Sequence, residues 1–308
     1  MKKFHTFHIQ GCDAVLGYMP NEIAQRFSSL ADHNWIINSD SRTVTLATTV
    51  DATSEDRTKI VADTLDKMRN AKTFKVLDGW RSELYPVYGR DGVLLVQIER
   101  SACPLFGVTS YGTHMTGYVK DEKEKYGLKI WVPRRSVDKQ TFSGMCDNTA
   151  AGGMTTGETP LQCAIREAKE EASLEERLTE KRLKPVGCLS YIYVRDKKAG
   201  GETGLIQPEV EYIYDIELDA DTEVKPNDGE VQNFKLLTVD EVKEFLANGE
   251  FKANSGIVIV DFLIRHGILT CEEVPGYADM LTRMHRRLEF PTISHDTSIT
   301  RNATANVH

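Results

Sequence analysis

The chain has 308 residues, 40% hydrophobic and 27% charged, with a formal net charge of -8. The length exceeds an ordinary single domain and the composition supplies apolar surface for packed cores, so two domains are expected. The negative charge argues against general affinity for nucleic acid or an anionic membrane, and no apolar stretch reaches the roughly 18 residues of a membrane span. Six cysteines lie apart without a C-x-x-C pair, which signals neither a disulfide framework nor a zinc site. Free thiols, a cytoplasmic location and small-molecule partners are the expectation.

After Pro20, residues Ile23, Phe27 and Leu30 share one helical face. "TVTLATTV" (43–50) reads as a strand, and "TSEDRTKIVADTLDKMRNA" (53–71) as a second helix buried through Val61, Leu65 and Met68. "GVLLVQIER" (92–100) is a strand entered through the turn-like "GRDG". The charge run in "TGYVKDEKEKYG" (116–127) marks a solvated boundary. We therefore expect a smaller α+β domain over 1–125 and a second domain over 126–290. In the latter, "LKIWVP", "CLSYIYV", "EVEYIYDIEL" and "NFKLLTV" are strands of a mixed sheet. Helices follow at "VDEVKEFLANG", opened by a Thr238–Glu241 capping box, then at "NSGIVIVDFLIRHG" and "EEVPGYADMLTRMHRRL". Residues 291–308 are polar, lack periodicity and read as a disordered tail.

The stretch "AAGGMTTGETPLQCAIREAKEEASL" (150–174) concentrates Glu158, Glu167, Glu170 and Glu171 beside Gly152 and Gly153. Thr159 and Pro160 suit a helix N-cap and first turn, so a helix is expected over 160–172. Leu161, Ala164, Ile165, Ala168 and Ala172 would form its buried stripe, with the glutamates on another. Acids at i, i+3 and i+4 repel by a few tenths of a kcal/mol each. Arg166 and Lys169 could offset this on an ordinary solvated face. A hard cation such as Mg²⁺ or Mn²⁺, which prefers carboxylate and carbonyl oxygens, would instead turn repulsion into ligation.

Gly152, five residues, Glu158, seven residues and Arg166-Glu167-Ala168-Lys169-Glu170-Glu171 resemble the Nudix box, G-x5-E-x7-R-E-U-x-E-E-x-G-U, with Ala168 and Leu174 at the apolar positions. Ser173 stands where the pattern has glycine. The resemblance implies a Nudix hydrolase on an α/β/α sandwich, splitting a diphosphate linked to another moiety. It implies metal ligation by Glu167, Glu170, Glu171 and the Gly152 carbonyl, with Arg166 orienting the carboxylates and Glu158 supporting them. The general base is expected at Glu230, with Asp228 or a box glutamate as alternatives; both loop residues also suit a plain turn around Gly229.

"VLDGWRSELYPVYG", "PLFGVTSYGTHMTGYV", "KIWVPRRS", "GMCDNTAAGG" and "YADMLTRMHRRLEFP" extend the resemblance over about residues 10–291. They are similar to Nudix proteins with an extra N-terminal domain, related to the Nudix half of a thiamine pyrophosphokinase. That group implies hydrolysis of thiamine diphosphate, preferentially its oxidised oxy- and oxothiamine forms. Arg134 and Arg135, whose forks suit a diphosphate, and Asn148 beside Asp147 are candidate substrate contacts. Arg135 also suits a surface ion pair, Asx residues also cap turns, and Trp80 and Tyr85 suit packing better than ring stacking. His285 reads as structural. The alternatives are a Nudix hydrolase for ADP-ribose, NADH or a related nucleoside diphosphate compound, and a non-catalytic binding module of the same fold. No helix-turn-helix or basic stripe supports a transcriptional regulator.

Overall fold

The computed structural model describes residues 3–292 apart from residues 31, 50, 91 and 140. In β1 (Phe4–Ile9) every second residue turns inward, which buries Phe7 and Ile9. β2 (Gly17–Pro20), α1 (Asn21–Ser28), β3 (Trp35–Asn38), β4 (Thr43–Leu46) and α2 (Ser54–Asn70) follow. The sheet order is β2-β1-β4-β3. Phe7, Phe27, Trp35 and Phe106 meet in its core, the Phe27 and Trp35 rings edge to face at 4.8 Å. The strand expected over 43–50 stops at Leu46 in this structure, with residue 50 outside the described residues. A hairpin of β5 (Leu84–Tyr88) and β6 (Leu94–Glu99) packs on α2, where Thr58 Oγ1 accepts from the Gln97 amide. The short α3 (Cys103–Phe106) closes this unit.

β7 (Ser110–Lys120), β8 (Leu128–Arg135), β9 (Ala150–Gly153), α4 (Pro160–Ala172), α5 (Glu176–Arg182), β10 (Lys184–Val194), β11 (Ile206–Glu217), β12 (Val231–Thr238), α6 (Val239–Ala247), α7 (Ala253–Arg265) and α8 (Tyr277–Met284) build the second unit. Its strand order is β10-β11-β7-β8-β12, with β9 also on β7; β7 and β11 run parallel and the other pairs antiparallel, so the sheet is mixed as expected. Ala164, Ala168 and Ala172 of α4 pack with Met115, Tyr214 and Ile216. Phe262 and Ile259 of α7 pack with Ile130, Val132 and α6 in a separate core. Helices thus flank a central sheet in an α/β architecture. Among the described residues no helix is long and apolar enough to cross a membrane.

The division of units differs from the one expected at 125. β7 lies at the centre of the second sheet, and the core of the first unit runs only to Val108 apart from Leu205. We place the division just before Ser110. The helix expected over 272–288 is confined to α8, and 293–308 of the expected tail lie outside the described residues.

α4 starts as its sequence dictates: Thr159 Oγ1 accepts from the Gln162 amide, and the Gln162 side chain accepts from the Thr159 amide. Leu161, expected on the buried stripe, is 45% exposed. At the other end Ser173 has φ 55°, and both its amide and that of Leu174 donate to Ala168 O. The glycine-type turn is therefore kept without glycine, at the cost of left-handed backbone in a residue with a β-carbon. Ser173→Gly should raise unfolding stability by roughly 0.5–1 kcal/mol, read as a higher urea midpoint. A lower midpoint would mean that the serine side chain contributes more than its backbone strain costs.

Candidate active site

β9 and α4 face one another across the loop that carries Glu158. A β-carbon at Gly152 would overlap the Glu167 carboxylate as placed, and one at Gly153 the Tyr85 hydroxyl, so the two glycines permit these close approaches. Arg166 organises the acids: Nε and Nη2 donate to the two oxygens of Glu158 at 2.8 and 3.0 Å. Nη1 donates to Glu167 at 2.6 Å and to Glu170 at 3.0 Å. Nη2 also reaches Gly153 O at 3.3 Å. Burial disfavours a charged Glu158, but the Arg166 bonds outweigh it and hold that carboxyl below its usual range.

Glu171 is turned into the protein at 6% exposure, where its Oε2 accepts from the Ala151 amide at 2.8 Å. Burial and then the charges of Glu167 and Asp147 push its pKa up to about 8. Burial likewise raises Glu167, against the pull of Arg166. Two buried hard-oxygen donors whose charged form is disfavoured by burial are what a divalent cation would stabilise, so the residues fit the expected Mg²⁺ or Mn²⁺. Among the described residues no three His, Cys, Asp or Glu side chains are gathered to hold an ion as placed; Arg166 draws Glu167 and Glu170 to itself. The Gly152 carbonyl, the expected further ligand, accepts from Cys163 Sγ of α4 at 3.7 Å, and the Ala151 amide and Gly153 carbonyl also meet side chains of that helix.

A cavity of about 590 Å³ opens beside β9 and Glu171. Glu230 lines it, ion-paired to Lys139 and, at 3.3 Å, to Arg81. Asp228 accepts from the Glu230 amide at 2.8 Å, the turn role foreseen for it. The two expected arginines exchange roles. Arg134 points away, to Gly144 O at 3.0 Å and Glu250 at 2.8 Å, whereas Arg135 lines the cavity and pairs with Asp147 at 2.6 Å. Adjacent residues of a strand face opposite ways, so only one could enter. Asn148 is fully buried, its Oδ1 2.6 Å from His114 Nδ1 and its Nδ2 donating to Ser255 O, and braces the floor instead of meeting a ligand. Trp80 packs on the first core under Arg69, Tyr85 is buried against β9, and His285 pairs with Ser190 of β10.

Several lining groups escaped the sequence reading. Arg100, Lys139 and Lys252 bring positive charge, and burial followed by the Arg135 charge pushes Lys139 down to about 8. Glu209 and Glu211 bring acids to the floor at 8% and 6% exposure. Among the described residues Glu211 Oε2 has no hydrogen-bond partner, and it lies 3.7 Å from His114 Nε2. A signal for them existed: "EVE" places two acids on one face of an otherwise apolar strand.

Glu171 gives the site a pH signature. Below the ordinary value of 4.5 it is protonated folded or unfolded; between 4.5 and about 8 the folded chain keeps a proton that the unfolded chain has lost. Rising pH then favours unfolding, by at most ~1.4 kcal/mol per unit from this group. In EDTA, stability to urea should fall with pH across that window for the native chain and fall less for Glu171→Gln. Equal slopes would contradict the assignment.

Comparison with known proteins agrees with this geometry. A model of the NUDIX domain matches residues 111–255, and one of a domain of unknown function, DUF4743, matches residues 1–110. The chain is 40% identical over 248 residues to an uncharacterized protein of Saccharomyces cerevisiae, covering 78% of this chain and 72% of that one. It is 36% identical to Nudix hydrolase 20, chloroplastic, and 33% identical to Nudix hydrolase 24, chloroplastic, both of Arabidopsis thaliana. Those matches cover 76% and 75% of this chain but only 59% and 60% of the plant proteins. With the box residues assembled on β9 and α4 and these relatives alongside, the chain belongs to the Nudix hydrolase family.

Proposed function

We propose that this hydrolase is a cytoplasmic diphosphatase that converts thiamine diphosphate, and preferentially its oxidised forms, to the monophosphate and phosphate. The observation that carries this reading is the cavity's mixed lining: the cations Arg81, Arg100, Arg135, Lys139 and Lys252 stand with Glu171 of α4 and with the buried acceptors Glu209 and Glu211. A substrate with a diphosphate at one end and an amino-bearing, cationic heterocycle at the other matches both. The resemblance of segments across about residues 10–291 to proteins related to the Nudix half of a thiamine pyrophosphokinase points the same way. The role would be removal of damaged cofactor before it occupies thiamine-dependent enzymes.

Glu167, Glu170 and Glu171 would hold Mg²⁺ or Mn²⁺, which would neutralise diphosphate charge and lower the pKa of attacking water. Arg166 keeps the acids oriented. Glu230, held by Lys139 and Arg81, is the base that takes the proton from water. The water oxygen bonds to the terminal phosphorus, the bridging P–O bond breaks, and the monophosphate departs. Buried acceptors also suit the amino group of adenine, so hydrolysis of ADP-ribose or NADH is the second reading. A ligand-binding module without turnover is the third.

Phosphate release in Mg²⁺ should be fastest from oxothiamine diphosphate, then thiamine diphosphate, with ADP-ribose and NADH far behind. An adenine compound in first place would displace the thiamine reading, and no turnover at all would favour the module. Glu170→Gln should cost about 100-fold or more in kcat/KM. Its side chain is 48% exposed in an i,i+4 pair, worth at most ~1 kcal/mol, so the thermal midpoint should move by no more than about 2–4 °C. Ordinary activity would remove Glu170 from the metal site.

A further inference from the structure

We infer that the amino-terminal unit, the part matched as a domain of unknown function, supplies a wall of the substrate site, and that its Arg100 binds the diphosphate. This rests on reading the cavity as a diphosphate site, but not on which organic group the diphosphate carries.

Arg81, Tyr85, Arg100 and Ser101 all precede Ser110, yet all line the cavity together with Gly152, Gly153 and Glu171. The two units meet tightly at Gly153, where the Tyr85 hydroxyl abuts the strand and a side chain would not fit. The Arg100 guanidinium lies 5.5 Å from the centre of the Tyr85 ring. One aromatic ring therefore separates this cation from the strand facing the catalytic helix.

The segment that carries Arg100 is fixed from beneath. Glu99, 3% exposed, accepts from the amides of Arg81 at 3.0 Å and Ser101 at 3.3 Å. Both bonds go to Oε1, so one buried carboxylate oxygen pins both cation-bearing segments, while Oε2 has no hydrogen-bond partner among the described residues. The Arg100 side chain, 36% exposed, donates through Nη1 to Glu83 at 2.8 Å, and its amide donates to Glu83 O at 2.8 Å. A guanidinium has five donors, so the Glu83 bond leaves further donors for a ligand in the cavity. The rigid fork matches two oxygens of a phosphate, and its stem is held before the ligand arrives. Arg81, by contrast, is occupied with Glu230 and positions that residue.

The chemistry calls for such a cation. α4 presents acids, and a diphosphate is repelled by acids, so metal on one side and fixed positive charge on the other must compensate. The second unit supplies Arg135 and Lys139, which are tied to Asp147 and Glu230, and Lys252, whose ammonium lies 5.9 Å from the centre of the Phe142 ring. Arg100 enters from the other unit with a single carboxylate partner among the described ion pairs.

The test uses the full chain with methylenediphosphonate, a diphosphate analogue that cannot be hydrolysed, in Mg²⁺, beside Mn²⁺ binding alone and the thermal midpoint. Arg100→Gln should weaken the diphosphonate about 10- to 100-fold and raise KM more than it lowers kcat. Mn²⁺ affinity should stay within about twofold, and Arg100→Lys should recover part of the loss. Diphosphonate binding equal to the native chain overturns the inference. So does a loss matched by equal loss of Mn²⁺ affinity, which would mark a merely structural role. If Arg100→Gln does not fold, Arg100→Lys decides: unchanged diphosphonate affinity overturns the inference and a selective loss upholds it. Arg100-dependent binding with no turnover of any substrate would uphold this inference while removing the proposed function; turnover that ignores Arg100 would do the reverse.

Discussion

The arrangement depends on one guanidinium set among carboxylates. Arg166 holds Glu158, Glu167 and Glu170 at hydrogen-bond distance and reaches the backbone of β9, while Glu171 lies buried behind them with its proton held tightly. Without that cation the acids of α4 would repel one another and drift from the sheet. With it they are stored, oriented and close to β9. Everything else in the second unit serves to bring that short strand and that helix together: β9 pairs with the fully buried centre of β7, and alanines on α4 let the helix sit close to the sheet.

The first unit is more than an attachment. Tyr85 against Gly153, Arg81 against Glu230 and Glu202 of the β10–β11 loop against the amides of Lys75 and Val76 tie it to the second unit around the cavity. A site walled by two units can match a ligand with chemically different ends, because each wall varies independently of the catalytic helix.

What the sequence could disclose follows from the range of the interactions. The acids of α4, the Thr159 cap and the Ser173 turn are local, and spacing along one helix suffices to read them. The mixed sheet was legible from its apolar strands, but its central strand was not. β7, "SYGTHMTGYVK", is buried at ten of its eleven positions while carrying Gly, Thr and His, so neither alternation nor an apolar run marks it. That omission displaced the domain boundary. Choosing between Arg134 and Arg135 required the register of β8 against β12, which shifts at a bulge between Val231 and Asn233. Arg100 and Lys139 approach the acids only when distant segments dock, and no pattern along the chain records that.

The central claim is that the acids organised by Arg166 are a cation site. It is tested most directly by titrating the full chain with Mn²⁺ and following the free ion by electron paramagnetic resonance, with proton release recorded alongside. The account predicts saturable binding that expels protons near neutral pH and is lost in Glu167→Gln and Glu171→Gln. Binding absent from the native chain, or undiminished in both variants, would contradict it.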